Sequence, residues 1–559
     1  MASKHLRWNL HHKQSPKNEQ QLRTWLLESL NITDEATFLS PNRPTDLTLE
    51  QVGIDQTQMQ SAIKRILVAK EKKQSVVIAG DYDADGLCAT TVLWLACQHI
   101  GLIARPFIPD RHKHGYGINQ RSLPDILGDK QPDLVITVDN GIVANEAIAT
   151  LVSQSIDVIL TDHHEPTKDL PPATNIVHTT QLCGAGVAWM LARELLRVAK
   201  VADAEEFSQR LLDFVAIATV ADQVPLQGAN RSIVYHGVTQ LRETTWPGLL
   251  AMFEQSAITQ SEITEQTIGF QIAPRLNALG RLSHGLEALR LLCGQSPELA
   301  KQRANLLQEA NTERRSLTSE MYHLAREHAI AQKDEMMLVI SDPSFHEGII
   351  GLIAGRLVEE FGKPAAVIAL GETMAKGSVR SIAQVHVTHL LRKITDQFLE
   401  LGGHAMAGGF AVDPTRITEV TAAIQFLAKK EITAQMLVRE LEVICPLGPG
   451  LVSVEVCELI EQLAPFGQGN PRPRFVLEKW RVKQTKVLGK DRSHLKLVLE
   501  APTQPDQDHL FLDALWWKHG PDEADFAVGT EVSVVGRVES RVWNHRQSVQ
   551  LVVTDVKIQ

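Results

Sequence analysis

The stretch Ile78-Ala79-Gly80-Asp81-Tyr82-Asp83-Ala84-Asp85-Gly86 decides the fold. Val76, Val77 and Ile78 read as a buried strand. The strand runs straight into carboxylates at alternate positions, Asp81, Asp83 and Asp85. Carboxylates this close repel one another, and keeping them ionised beside a buried strand is costly unless a cation sits among them. Oxygen donors suit hard divalent ions such as Mg²⁺ or Mn²⁺. Gly86 allows a tight turn into a helix. The plainer reading of this stretch alone is an acidic loop or a helix N-cap cluster.

Two more strands end the same way. Leu134-Val135-Ile136-Thr137-Val138 runs into Asp139-Asn140-Gly141, and Val158-Ile159-Leu160-Thr161 into Asp162-His163-His164. A fourth candidate is the apolar run Val215–Val220, followed by Ala221-Asp222-Gln223. Sites in open α/β sheets form at the carboxyl ends of strands. A single Asp after a strand is as readily a helix cap; the repetition points to one site. Carboxylates with imidazole fit a two-metal cluster that clamps both oxygens of an in-line phosphoryl displacement.

In this order, Asp-Tyr-Asp-Ala-Asp-Gly, Val-Asp-Asn-Gly, Thr-Asp-His-His and Thr-Val-Ala-Asp-Gln-Val-Pro-Leu resemble the DHH phosphoesterases, and within them the RecJ family of exonucleases. The resemblance runs from about Gln51 to the last residues. It implies an α/β fold: a DHH catalytic lobe with a mostly parallel sheet, a long connecting helix, an α/β DHHA1 lobe and a C-terminal OB-type β-barrel. The expected divisions are an N-terminal extension (1–50) packing on the first domain, the DHH domain (51–280), connecting helices (281–335), the DHHA1 domain (336–440) and the OB-type nucleic-acid-binding domain (441–559). It further implies two ions, Mn²⁺ or Mg²⁺, held by Asp81, Asp83, Asp85, Asp139, His163 and Asp222. Asp162 then fixes an imidazole, and His164 orients a ligand or touches the phosphate. Many DHH enzymes carry a ligand histidine where Ala79 stands here, which leaves the role of Asp81 less secure than those of Asp83 and Asp85.

The remaining motifs each carry two readings. Arg111-His112-Lys113-His114-Gly115-Tyr116-Gly117 is a solvated loop, or one that holds a phosphate backbone and stacks a base. Cys183-Gly184-Ala185-Gly186 is a plain turn, or a helix N-terminus approached by a phosphate. Arg275-Leu276-Asn277-Ala278-Leu279-Gly280-Arg281 is a surface cap with salt bridges, or a pair of phosphate forks. Residues 296–332 read as a long helix. Gly377-Ser378-Val379-Arg380-Ser381 reads as a polar turn with one arginine, and Gly402–Gly409 as a glycine cluster around His404, either a structural histidine or one beside amides that can form an anion nest. The resemblance favours function in each of these: Arg111, Tyr116, Arg275, Asn277, Arg281, Ser378 and Gly403 toward nucleic acid, and Arg380 and His404 toward the scissile phosphate. Beyond residue 475 short alternating strands suit a small barrel. There Lys496, Trp516, Trp517, Arg541, Trp543, His545 and Arg546 interleave base and aromatic, with one of the two adjacent tryptophans in the core.

Composition bounds the rest. The 559 residues suffice for three or four domains, and the 44% hydrophobic content supports ordinary cores. The six cysteines are scattered without a CxxC pair, which argues for a reducing compartment and against a zinc site or disulfide framework. With no apolar leader core and no membrane-length apolar run, the sequence reads as cytoplasmic. A net charge of −10 argues against a generally basic nucleic-acid binder but is compatible with a local basic groove. The resemblance adds single-stranded DNA as substrate, 5′→3′ polarity, roles in recombination and mismatch repair, a single-strand-binding protein and a RecQ-type helicase as partners, and a monomer. Two other readings compete. A phosphatase or short-oligonucleotide hydrolase of the same superfamily is disfavoured by residues 440–559. A DNA-binding module with a dead site is disfavoured by the full acidic and histidine set.

Overall fold

The computed structural model describes residues 6–502, 509–543 and 546–559. They form two compact units, residues 42–437 on one hand and residues 1–41 with 438–559 on the other. A short N-terminal strand, β1 (Arg7–Leu10), belongs to the second of these.

The first unit opens on five strands that alternate with helices: β2 (Val76–Ala79), β3 (Ala104–Phe107), β4 (Leu134–Val138), β5 (Asp157–Asp162) and β6 (Asn175–His178). They form one sheet in the order β3-β2-β4-β5-β6, with every neighbouring pair parallel. β2 and β4 are buried along their whole length, as continuous apolar runs in a covered parallel sheet should be. The helix Ala84–His99 is buried almost all round, because the helices Gly184–Val198 and Leu212–Ala221 pack against it. Val215–Val220 therefore lies in a helix and not in the expected strand. A short apolar run does not distinguish the two, and here the run continues back to Leu212.

The helix Pro297–Ala331 joins two lobes of this unit. Ser296 caps it through Leu299 N–H, and Pro297 fills its first position. Ala300, Ala304 and Leu307 belong to the core of the first lobe, Ala325 and Ala329 to that of the second. The second lobe holds β7 (Leu338–Asp342), β8 (Ala365–Ala369), β9 (Ala375–Arg380), β10 (Glu400–Gly403) and β11 (Ala407–Val412) in the order β10-β11-β9-β8-β7. Only β7 and β8 are parallel. Of Gly377–Ser381, expected as a polar turn, Gly377 to Arg380 form the second half of β9. Glycine and serine signal a turn locally, but pairing with both β8 and β11 overrides them.

The second unit contains β12 (Glu440–Val443), β13 (Phe475–Leu488), β14 (His494–Glu500), β15 (Phe511–Trp516), β16 (Glu531–Trp543) and β17 (Arg546–Ile558). The last five close into a barrel in the order β13-β14-β15-β17-β16. β15 is absent from the sequence reading. Trp516 is core and Trp517 is half exposed against His494. The N-terminal segment departs from expectation. Leu22, Leu26, Leu27 and Phe38 join the core of the barrel unit rather than that of the first domain, and β1 pairs in parallel with β12. Trp8 Nε1 donates to the buried Asp555 at 2.7 Å.

Candidate metal centre and phosphate site

β2 ends at Ala79, and Asp81, Asp83 and Asp85 follow at the carboxyl edge of the sheet. Asp83 caps the helix Ala84–His99, accepting from Asp85 N–H and Gly86 N–H, both at 3.1 Å. Asp85 is held by the N-terminus of Gly184–Val198, whose Gly184 and Ala185 amides donate to its two oxygens at 2.7 Å each. The glycine-rich turn does face an anion, then, but that anion is the Asp85 carboxylate. Gly184 is obligatory there, since a Cβ would lie 2.4 Å from Asp139 Oδ1. Asp139 itself adopts φ 62°, a left-handed backbone uncommon outside glycine. Asn140 ties the edge together, donating to Ala79 O and Val138 O and accepting from Ile118 N–H.

These elements bring the acidic residues together. Ligand atoms of Asp81, Asp83 and Asp139 lie within 4.8 Å of one another, as do those of Asp85, His163 and Asp222, and those of Asp139, His163 and His164. His163 Nε2 is 3.2 Å from Asp139 Oδ1 and 3.7 Å from oxygens of both Asp85 and Asp222. Asp222 reaches the cluster from the C-terminus of the helix Leu212–Ala221, not from a strand end.

The electrostatics are those of a cage for cations. Burial, then the Asp83 carboxylate, pushes Asp81 up to about 8. Burial with Asp85 and Asp83 does the same to Asp222, also to about 8, and lifts Asp139 well above the carboxylate range. Burial holds the His163 imidazole below its ordinary value, so it is neutral and able to ligate. Asp81 Oδ2 and Asp139 Oδ1 are buried without a hydrogen-bond partner, although such groups are normally satisfied. Orphaned carboxylate oxygens, a neutral imidazole and mutually repelling carboxylates fit a pair of divalent cations.

Asp162 stands behind the cluster. It accepts from Ile142 N–H at 2.9 Å and from His163 N–H at 2.7 Å, and it lies 2.7 Å from His164 Nδ1. Burial opposes charge on His164, but Asp162 outweighs it and raises the imidazole to about 9. Tyr116 Oη donates to Asp139 O at 3.2 Å and lies 3.1 Å from His164 Nε2. The His404 ring stacks 6.4 Å from that of His164, its backbone held by Thr388 Oγ1.

Beside the acidic cage stands a group of arginines. Arg111 lies 4.4 Å over the Tyr82 ring. Burial, then Arg111, Arg314 and Arg380, lowers Arg281 to about 10, so it stays charged at neutral pH. Arg281 donates to Gly348 O, and Arg380 to Ser378 Oγ at 3.1 Å. Among the described residues none of these four arginines forms an ion pair with a carboxylate, and Arg111 Nε and Arg314 Nε are buried without a partner. Mutually repelling guanidinium groups, facing the acidic loop only at longer range through Asp81 and Asp83, are suited to receive an oxyanion.

The other expected residues are placed differently. Asn277 Oδ1 accepts from Ala84 N–H at 2.7 Å, so this side chain supports the acidic loop. Arg275 donates to Gln308 Oε1 and Gln271 O. Gly403 closes the β10–β11 pair at φ 133°. In the barrel unit, Lys496 ion-pairs with Asp513 at 2.7 Å, and Arg546 is exposed at the β16–β17 turn. The side chain of Trp543 and all of His545 lie outside the described residues. Tyr82, Asn140 and Arg314 escaped the sequence reading. The first two stand inside quoted motifs, and Arg314 follows Asn311 by three on the long helix and donates to its Oδ1.

Three family models match the chain: the DHH family N-terminal domain over residues 75–219, the DHHA1 domain over 334–430 and the RecJ OB domain over 443–555. The chain is 32% identical over 514 residues to the single-stranded-DNA-specific exonuclease RecJ of Bacillus subtilis, covering 89% of this chain and 63% of that protein. It is 32% identical over 497 residues to the enzyme of the same name from Thermus thermophilus, covering 88% and 69%. It thus spans about two thirds of the length of these curated relatives. The crystal structure of RecJ in complex with Mn²⁺ from Thermus thermophilus superimposes with a TM-score of 0.82 at 27% identity, covering 99% of this chain and 79% of that one. The corresponding Mg²⁺ complex gives 0.76 at 26% identity, covering 99% and 78%.

Proposed function

The chain belongs to the RecJ family of DHH phosphoesterases, and from that premise we propose that it is a metal-dependent exonuclease that hydrolyses single-stranded DNA in the 5′→3′ direction, acting in recombination and in DNA and mismatch repair. The observation that carries the reading is the acidic cage set against arginines without carboxylate partners. A phosphodiester needs both: donors for cations and donors for its own oxygens.

Two divalent ions, Mn²⁺ or Mg²⁺, held by Asp81, Asp83 and Asp139 and by Asp85, His163 and Asp222, would activate a water for in-line attack and neutralise charge on the phosphoryl oxygens. The chain's own groups do the rest. Arg111, Arg281 and Arg380, with Ser378, hold the phosphate. His164, cationic at neutral pH, donates its Nδ1 proton to Asp162, which fixes the ring, and its Nε2 proton passes from the Tyr116 hydroxyl to a phosphoryl oxygen or the leaving oxygen when substrate is bound. His404 approaches from the second lobe and gives the phosphate a further donor. The barrel binds the strand through cationic and aromatic groups, among them Lys496, Trp543 and Arg546.

Among the described residues no helix is long and apolar enough to cross a membrane. The protein acts in the cytoplasm as a monomer, handed its strand by a RecQ-type helicase and a single-strand-binding protein. The test is digestion of an oligonucleotide labelled at one end or the other. Mn²⁺- or Mg²⁺-dependent release of mononucleotides from the 5′ end, with matched duplex spared and chelator abolishing turnover, is expected. Release from the 3′ end, or cleavage of very short oligomers alone, overturns it.

A further inference from the structure

Resting on the reading of the chain as a single-strand nuclease, we propose that Phe270 is a stacking platform for a base of the substrate strand, a few nucleotides from the scissile phosphate. Ile268–Ile272 forms a π-helical segment directly before the helix Ala273–Leu282. Such segments are rare, and they concentrate at functional sites because the widened turn re-aims side chains. Here Ile268 and Ile272 are fully buried, while Phe270 between them is 81% exposed. A single exposed aromatic needs no explanation of its own. This one coincides with two further features.

The first is direction. Phe270, Pro274, Asn277 and Arg281 recur at i, i+4, i+7 and i+11 and so share one helical face. Asn277 holds the acidic loop through Ala84 N–H, and Arg281 belongs to the arginine group. The face that carries Phe270 is therefore the one that leads to the metal centre. The neighbouring Gly269 packs on Val220, two residues before Asp222: a Cβ on that glycine would lie 3.6 Å from Val220 Cγ1. The second feature is charge. Arg281, on the same face, belongs to the arginine group, while Arg275, five residues on and about 140° round the helix, donates to Gln271 O and has Arg315 as its like-charged neighbour. An exposed aromatic ring on a helical face that leads to a group of cations suits single-stranded nucleic acid: the ring receives a base and the guanidinium groups receive phosphates further along the strand. A nucleobase is thus the occupant that fits the ring and the charge toward which its face leads.

The experiment uses the full chain. Oligonucleotides with a single 2-aminopurine placed at successive positions are titrated against the cleavage-blocked variant D139N and against D139N with Phe270→Ala. Quenching at one internal position that disappears with Phe270→Ala is expected. In the active background, KM for a twelve-nucleotide strand rises on the order of tenfold. The loss falls on KM rather than kcat, and Phe270→Trp restores the wild-type value. Unchanged quenching and unchanged KM in Phe270→Ala overturn the proposal. So does loss of self-association without loss of DNA binding, which would make the ring a contact between copies of the chain. A wild-type protein that degrades no single-stranded DNA fails at the earlier reading, and the two failures are told apart by whether wild type or only the comparison with Phe270→Ala gives the negative result.

Discussion

Asp139 belongs to two of the three clusters of candidate donors, one with Asp81 and Asp83 and one with His163 and His164. It faces Asp81 and Asp83 on one side and His163 on the other, from a left-handed backbone held between Gly184 and Asn140. Residues with strained backbones persist where the surroundings fix them, and they cluster at functional sites. Asn277 shows how a residue expected on DNA acts one step behind. Asn277→Ala leaves Ala84 N–H without its acceptor, at a cost of roughly 1–3 kcal/mol, and loosens the acidic loop. The expected outcome is a lower melting temperature in chelator together with a fall in kcat. A rise in KM at unchanged melting temperature would return Asn277 to DNA contact. The clustering of the carboxylates was legible in the sequence because its signal is local: alternate aspartates directly after an apolar run. Tyr82, Asn140 and Arg314 were not, because what defines them is a partner distant in the chain, a stacked guanidinium, a neighbouring strand or an arginine group.

Among the elements, the helix Gly184–Val198 does the positioning. Its first amides grip Asp85 while the missing Cβ of Gly184 makes room for Asp139. Gly184→Ala must displace the Asp139 carboxylate. The expected loss is roughly 1–3 kcal/mol of stability from overpacking and on the order of a hundredfold in kcat, read by thermal melting and steady-state hydrolysis. Wild-type kcat in this variant would show that the helix does not set the ligand geometry. The long helix, the parallel sheet and most barrel strands were legible because their apolar periods run over many residues. The failures were short segments decided by pairing or packing. The helix Leu212–Ala221 is too brief and too uniformly apolar to declare its period, and β9 reads as a turn until its neighbours are seen.

For the whole molecule, the acidic cage couples folding to metal and pH. Asp81 and Asp222 stand at about 8 in the metal-free fold against about 4 in an unfolded chain. Between those values the native state binds more protons than the unfolded one, so stability in chelator falls as pH rises from about 4 to about 8. Mn²⁺ binds the ionised cage and is expected to raise the melting temperature most at pH 8 and least at pH 5. A melting temperature in chelator that rises across this window would contradict the burial of these carboxylates. The N-terminal segment was misplaced in the sequence reading for a reason at this same scale. Its apolar residues announce that it packs, but not on which core, and the partners of Leu22 and Leu26 lie more than 400 residues on.

The most direct test of the central claim, that one shared acidic cage performs the hydrolysis, is turnover and binding by Asp139→Ala on the same 5′-labelled single strand. The account predicts that cleavage is abolished in Mn²⁺ and in Mg²⁺ while the strand still binds through the arginines and the barrel. Cleavage at a rate near that of the wild type would contradict it.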